Sequence, residues 1–277
     1  MRPMKMQSLD QDINAVCAPV RRTSLKDLNS VQLMRRFDSK FVVPESWIPE
    51  LVIALEPSTH ILEVDGQCFS NYENVYYETP DDLFLTDHLR GKARRMKIRT
   101  RKYSTNGLMF LEVKQRFPGG KTMKNRIDRG QNQGLALSEE EMRFLQSHSD
   151  VAVALEPRLH GDFSRFTLVD FDRKERITVD RNLSSKLMGQ EEYSLLKGMA
   201  VIEIKQPRPD RYGPAQMWLR TRRNRKGVVG RKTRISKYTM ARLTCDKNIA
   251  GRTYLATHRR LQEACSWTKD LQAQSRP

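Results

Sequence analysis

No stretch of this chain approaches the ~20 consecutive apolar residues that a membrane-spanning helix needs. Its start, MRPMKMQSLDQDINAV, is basic but has no apolar run of the kind a secretory leader carries. Cysteine is scarce. Cys17, Cys68, Cys245 and Cys265 are far apart and show neither CxxC nor zinc-ligand spacing. Disulfides stay open in principle, but a reduced, cytoplasmic protein is the simpler expectation. There is no Walker loop, no GxSxG and no HExxH. The five histidines (His60, His88, His148, His160, His258) are scattered, and none sits in a nucleophile–base pattern. Acid is also in short supply: 33 Asp and Glu stand against 50 Lys and Arg, a net charge of +17. That excess implies a polyanionic partner, whether nucleic acid, an acidic membrane surface or phosphates.

What is present is a strand-rich middle. At 277 residues the chain can bury one sizeable core. Residues 1–22 read as a loosely ordered arm, 23–248 as the folded domain and 249–277 as a polar, basic tail with weak helical character. A short capped helix is expected from Ser24, a strand over RRFDSKFVVP ending at Pro44, and a helix over ESWIPELVIALE. NVYYETP, ARRMKIRTRKY, GLMFLEVKQR and KTMKNRID read as strands separated by turn signals at 105–107 and 118–120. LSEEEMRFLQSH is a helix capped by Ser138. Strands resume with DFSRFTLVDF, ERITVDRNL and MAVIEIKQ, and PAQMWLRTRR and SKYTMARLTC close the domain as helices.

Side chains two apart on a strand share a face. Lys97, Arg99 and Arg101 therefore line up opposite Ile98 and Thr100, and Glu112, Lys114 and Arg116 opposite Leu111 and Val113. Glu203 and Lys205 oppose Ile202 and Ile204, while Arg36, Asp38 and Lys40 oppose Phe37 and Phe41. Lys124 and Arg126 share a face on their own strand. For any one strand this is the pattern of an ordinary half-buried sheet. Taken together the charges are mostly cations, and like charges on neighbouring strands destabilise a sheet unless an anion lies between them. A closed barrel with a polar lumen around a phosphate chain resolves the conflict. Glu112 and Glu203 add carboxylates, each readable as a salt-bridge partner or as a ligand for a hard divalent cation.

RRFDSKFVVP, YYETP, DHLRGKARRMKIRTRKY, FLEVKQR, ERITVDRNL, VIEIKQ and RISKY occur in that order, and over about residues 30–245 they resemble the VTC domain. This is the polyphosphate polymerase domain within the CYTH-like triphosphate tunnel metalloenzymes. The resemblance implies an α+β fold, an antiparallel β-barrel forming a triphosphate tunnel with flanking helices. It also implies transfer of the ATP γ-phosphate to a polyphosphate chain with Mn²⁺ or Mg²⁺. The residues implied as catalytic are Lys40, Arg99, Arg101, Lys114 and Glu203. Phosphate binding is implied for these four cations with Lys124, Arg165, Arg176, Arg234, Ser236 and Lys237. Metal binding falls to Glu203, with Glu112 as the second carboxylate. Asp38 and Glu78 depart from the family's usual residues but keep their charge sign.

ATP and inorganic polyphosphate or triphosphate are thus the expected partners. A triphosphatase of the same fold and a non-catalytic polyanion binder are the alternatives. Residues 219–234 pack eight Lys or Arg into sixteen positions, a patch suited to nucleic acid or to funnelling phosphate toward a tunnel mouth. Aromatic residues for stacking single-stranded bases are absent from it, so nucleic acid ranks below phosphate as a partner.

Overall fold

Charged and apolar residues alternating at period two make extended strands with one wet and one dry face, and here they make a single large antiparallel sheet. The structure, a computed structural model, describes residues 6–28, 37–130, 132–149, 154–223, 227–246, 249 and 252–274. Arg36 and most of the helix expected from Ser24 lie outside them. The strands are β1 (Arg22–Thr23), β2 (Phe37–Pro44), β3 (His60–Leu62), β4 (Ser70–Glu78), β5 (Arg95–Tyr103), β6 (Met109–Arg116), β7 (Thr122–Asp128), β8 (Glu156–Asp170), β9 (Glu175–Leu187), β10 (Tyr193–Ser194) and β11 (Met199–Gln206). Their order is β2-β11-β9-β8-β4-β5-β6-β7, with β10 on β9, β3 on β8 and β1 parallel to β3.

Among the described residues seven α-helices flank the sheet: α1 (Met6–Cys17), α2 (Ile48–Leu55), α3 (Leu83–Leu89), α4 (Glu139–His148), α5 (Pro214–Arg222), α6 (Lys237–Cys245) and α7 (Arg252–Gln274). Phe41, Val43, Ile202, Ile204, Val179 and Phe166 form the dry face of one half, packed with α1, α2 and α5. Val75, Tyr77, Ile98, Leu111 and Val113 form that of the other half, packed with Phe84 of α3 and Leu145 of α4. The segment expected as a loose arm therefore includes a helix whose Ile13 and Cys17 are buried in the core. The expected tail carries α7, whose Leu261 and Ala264 are buried as well.

The α4 start shows sequence and structure agreeing in detail. Ser138 accepts from the Glu141 N–H at 3.2 Å, and Glu141 accepts from the Ser138 N–H at 2.7 Å, a reciprocal capping box. Glu141 also holds Arg129 at the end of β7, so the cap ties helix to sheet. Replacing Ser138 by Ala should cost about 1 kcal/mol in a urea unfolding titration, with an unchanged m-value.

The expected closed barrel is corrected. Among the described residues no ladder joins β2 to β7, so the sheet keeps two edges. It is nonetheless rolled into a deep trough. Five ladder steps separate β2 from β5, about 24 Å in a flat sheet. Yet Lys40 Nζ donates to the Ile235 carbonyl at 3.3 Å, and Lys97 Nζ donates to Ser236 Oγ at 2.6 Å. Two consecutive residues before α6 thus touch strands that only strong curvature brings together.

Candidate functional site

The ladder registers place the wet-face residues in rows across the trough. On one wall Lys40 stands beside Glu203, Asp38 beside Lys205 and Arg176, and Asp180 beside Arg165. On the other wall Asn74 stands beside Arg101 and Phe110, and Tyr76 beside Arg99, Glu112 and Arg126. Next comes a row of three lysines directly opposite one another, Lys97, Lys114 and Lys124, followed by Arg95 opposite Arg116. The start of α6 lies against both walls. Its N-cap Ser236 meets Lys97, and Lys237 pairs with Asp180 of β9.

Three carboxylates punctuate this cationic surface, each held by cations. Glu112, only 1 % exposed, accepts from Arg99 Nε at 2.8 Å and Nη2 at 2.7 Å, and Lys124 binds its other oxygen. Asp180, also 1 % exposed, accepts from Arg165 Nη2 at 2.8 Å and from Lys237. Glu203 lies 3.3 Å from Lys205 and 3.7 Å from Lys40. Arg101 donates to Asn74 Oδ1 at 3.0 Å and lies over the Tyr72 ring, which stacks on Phe163 at 5.0 Å. Arg165 and Lys237 also lie over Phe163. Aromatic faces thus give a weak counter-charge to Arg101, which has no carboxylate partner among the described residues, and add to that of Asp180 at Arg165 and Lys237.

The crowding of cations shows in their acid–base behaviour. Burial and the neighbouring Lys114, Lys40, Arg99 and Arg95 push Lys97 well below the ordinary lysine value. Burial pushes Lys237 down to about 8, Asp180 notwithstanding. Lys114 is open to solvent, yet the surrounding protein and Lys40 push it down to about 8. In the carboxylates the cations win over burial. Glu112 falls to about 2 despite being enclosed, drawn down by Arg99, Arg101 and Lys124. Glu203 and Asp180 are also held far below the usual carboxylate range, against burial, by the lysines and by Arg165.

The lysines make a prediction with a definite sign. A depressed lysine binds fewer protons folded than unfolded, so Lys97, Lys114 and Lys237 should add stability as pH rises from about 7 until lysines of the unfolded chain lose their protons near about 10. Burial pushes the Cys17 thiol up to about 12 and raises Tyr72 and Tyr77, so these groups ionise first in the unfolded chain and oppose the rise above about 9. Thermal unfolding across this range should show the rise, and saturating tripolyphosphate should flatten it by keeping the lysines protonated.

The structure brings Lys40, Arg99, Arg101, Lys114, Lys124, Arg165, Arg176, Ser236 and Lys237 to the trough or its rim, together with Glu203 and Glu112. Arg234 is exposed just ahead of α6 and adds to the burial and the Arg116 charge that push Arg95 below the ordinary arginine value. Lys97 and Asp180 were not singled out, although alternation placed Lys97 on the charged face. His88 is buried and bonded to Tyr254 at 2.9 Å, and burial and nearby lysines push it down to about 2, so it stays neutral. The expected funnel over 219–234 is divided: Arg231, Lys232 and Arg234 lie on the segment beside β2, where the Thr233 N–H donates to the Lys40 carbonyl at 2.8 Å. Arg220 and Arg222 belong to α5, which packs on the convex face, and Arg222 pairs there with Glu50. Residues 224–226 lie outside the described residues.

The family model of the VTC domain matches residues 35–245. The chain belongs to the VTC domain family. Helices α1 and α7 lie outside the matched VTC segment, and every strand of the trough's rows lies within it. Similar solved structures include a candidate adenylate cyclase from Bacillus halodurans, 18% identical, covering 66% of this chain and 87% of its own at a TM-score of 0.43. Another is a candidate adenylyl cyclase from Hippeastrum, described as having a dominant triphosphatase activity, 14% identical, covering 76% of this chain and 97% of its own at a TM-score of 0.44. Among curated proteins nothing matches this VTC chain.

Whether a divalent cation fits depends on the carboxylates. Among the described residues no three His, Cys, Asp or Glu side chains converge on one point. Glu112, considered above as a ligand, has both oxygens bonded to Arg99 and Lys124 and is an ion-pair partner instead. Glu203 is ionised, and its ammonium neighbours at 3.3 and 3.7 Å stand beyond the usual charge-assisted hydrogen bond. A cation shared between Glu203, water and substrate phosphates fits this donor set, as Mg²⁺ commonly binds.

Proposed function

We propose that this VTC domain binds the phosphate chains of ATP and polyphosphate in the trough and transfers the γ-phosphoryl group of ATP to a polyphosphate end. The observation carrying the reading is the row Lys97–Lys114–Lys124, three lysines directly opposite one another with Lys40 near enough to depress two of them. Such a row destabilises a sheet unless a polyanion lies along it. A linear phosphate chain supplies one negative charge or more at each phosphorus, and lysine and arginine donors suit its oxygens.

Phosphoryl transfer asks the protein for positioning and charge stabilisation more than for a covalent nucleophile. The bond between the γ-phosphorus and its bridging oxygen breaks, its electron pair leaves on ADP, and a terminal phosphate oxygen of the acceptor bonds to the phosphorus. Lys40, Arg101, Lys114 and Lys237 would hold the chain, and Arg99 and Arg165 would act from guanidiniums already fixed by Glu112 and Asp180. Pre-fixed donors need no reorganisation as charge develops. Glu203, with phosphate oxygens, would hold Mn²⁺ or Mg²⁺, which when bound offsets charge on the leaving group.

A non-catalytic polyanion binder is the second reading, favoured because each of the three trough carboxylates already has cationic neighbours. Incubation with ATP, Mn²⁺ or Mg²⁺ and a short polyphosphate primer separates the readings. Lengthening chains with ADP are the expected result. Free phosphate without longer chains would mean water is the acceptor and the protein is a triphosphatase. Tripolyphosphate binding without turnover under any metal would establish the binder.

A further inference from the structure

We propose that Lys114 is a covalent modification site, acylated on Nζ by acyl phosphates that the trough itself captures. The proposal rests on the phosphate-chain reading and adds regulation to the same site. Among the trough cations Lys114 is unusual in what it lacks. Lys124 and Arg99 are held by Glu112, Lys237 and Arg165 by Asp180, Lys40 and Lys205 by Glu203, and Lys97 donates to Ser236. Among the described residues no carboxylate comes within ion-pair distance of Lys114. Its side chain is open to the trough, and Lys97 and Lys124 flank it directly across β5 and β7.

Acylation by a mixed anhydride needs two things in one place: cations to hold the phosphate end, and an amine carrying a free electron pair. The flanking lysines provide the first. The second follows from what faces Lys114 on every side: Lys97 and Arg99 on β5, Lys124 on β7, Lys40 and Asp38 on β2, and Glu203 on β11. Desolvation by the surrounding protein, with Lys40 and Arg99, outweighs Glu203 and Asp38, so a fraction of Lys114 is the free amine at neutral pH. That amine attacks the acyl carbon and a C–N bond forms. The C–O bond to phosphorus breaks with its electron pair, and inorganic phosphate leaves. The ammonium proton passes to water or to the departing phosphate. No redox partner is needed.

The product is a neutral amide in the middle of the lysine row. One charge-assisted contact to a phosphate chain is lost, which should weaken tripolyphosphate binding about tenfold or more. Acyl phosphates would thus turn the site down in proportion to their concentration.

The test treats the full-length protein with acetyl phosphate and follows site occupancy by peptide mass spectrometry, beside calorimetric titration of the same preparation with tripolyphosphate. Exposed Lys121 and Lys174 serve as internal references. The expected result is acetylation of Lys114 at least about tenfold faster than either, suppressed by tripolyphosphate, and a clearly smaller preference, indifferent to tripolyphosphate, toward the neutral reagent p-nitrophenyl acetate. Equal rates at the three lysines with normal tripolyphosphate binding would overturn the proposal and leave the phosphate-chain reading standing. A preference that is the same with both reagents and indifferent to tripolyphosphate would also overturn it, because capture would then play no part. Failure of tripolyphosphate to bind at all would remove the phosphate-chain reading itself, and the proposal with it.

Discussion

Glu112→Ala is expected to destabilise the protein by about 3–5 kcal/mol, the largest loss from any single trough substitution. The carboxylate is 1 % exposed and bonds Arg99 through two nitrogens and Lys124 through its other oxygen. Removing it leaves a partly buried guanidinium between β4 and β6 with the Tyr76 hydroxyl, 3.3 Å away, as its one side-chain hydrogen-bond partner among the described residues. It also returns Lys124 to a row that already holds Lys97 and Lys114. Repulsion that Glu112 now cancels would act in full. Chemical denaturation should show the loss as a lowered midpoint at constant m. Tripolyphosphate should restore more of the midpoint in the variant than in the parent protein, because phosphate oxygens can replace the missing carboxylate. If the midpoint fell by less than about 1 kcal/mol, Glu112 would not be the keystone of the cation network.

That network explains which parts of the molecule were legible in the sequence. Strand alternation is a local property, so the charged faces of KIRTR, FLEVKQR and VIEIKQ could be assigned before any pairing was known. Register is not local. Only the ladder shows that Lys97, Lys114 and Lys124 fall in one row while Glu112 falls between Arg99 and Arg126. Whether a glutamate two residues before a lysine holds a metal or an arginine is decided by those neighbours. The motif alone could not separate Glu112 from Glu203.

Curvature was less legible still. Nothing in β2 or β5 states that Lys40 and Lys97 will meet consecutive residues ahead of α6. The expected barrel is a trough whose end strands β2 and β7 are not joined for the same reason: closure depends on the sum of small twists, not on any motif. Helix α1 is hard to read because half of MQSLDQDINAVC is polar and its core contacts rest on Leu9, Ile13, Val16 and Cys17 alone. Helix α7 reads only as weak helical character, and its packing is hidden because Leu261 and Ala264 are diluted by charge. The basic run over 219–234 misled in the opposite direction. Its charges are dense in sequence, but α5 turns Arg220 and Arg222 away from the trough because Ala215, Trp218 and Leu219 seek the core on the convex side.

Glu203→Gln should separate binding from chemistry. The substitution is nearly isosteric and removes one negative charge from the trough wall, between Lys40 and Lys205. Without a divalent cation, in the presence of EDTA, tripolyphosphate should bind the variant more tightly than the parent. A phosphate oxygen near 4 Å from that carboxylate gains about 1 kcal/mol at the water end of the dielectric range, roughly a fivefold change in affinity. Turnover of ATP should move the other way. Losing the one carboxylate suited to share a cation with the substrate costs several kcal/mol of transition-state stabilisation, so the rate should fall by about a thousandfold. The two readouts exclude trivial explanations between them: a misfolded variant would lose binding as well, and a purely electrostatic role for Glu203 would leave turnover intact or raised. Tighter binding with unchanged turnover would take Glu203 out of the chemistry. Tighter binding with turnover lost would place the cation at Glu203, on the wall shared by β2 and β11, and would fix the direction in which the phosphate chain lies along the trough.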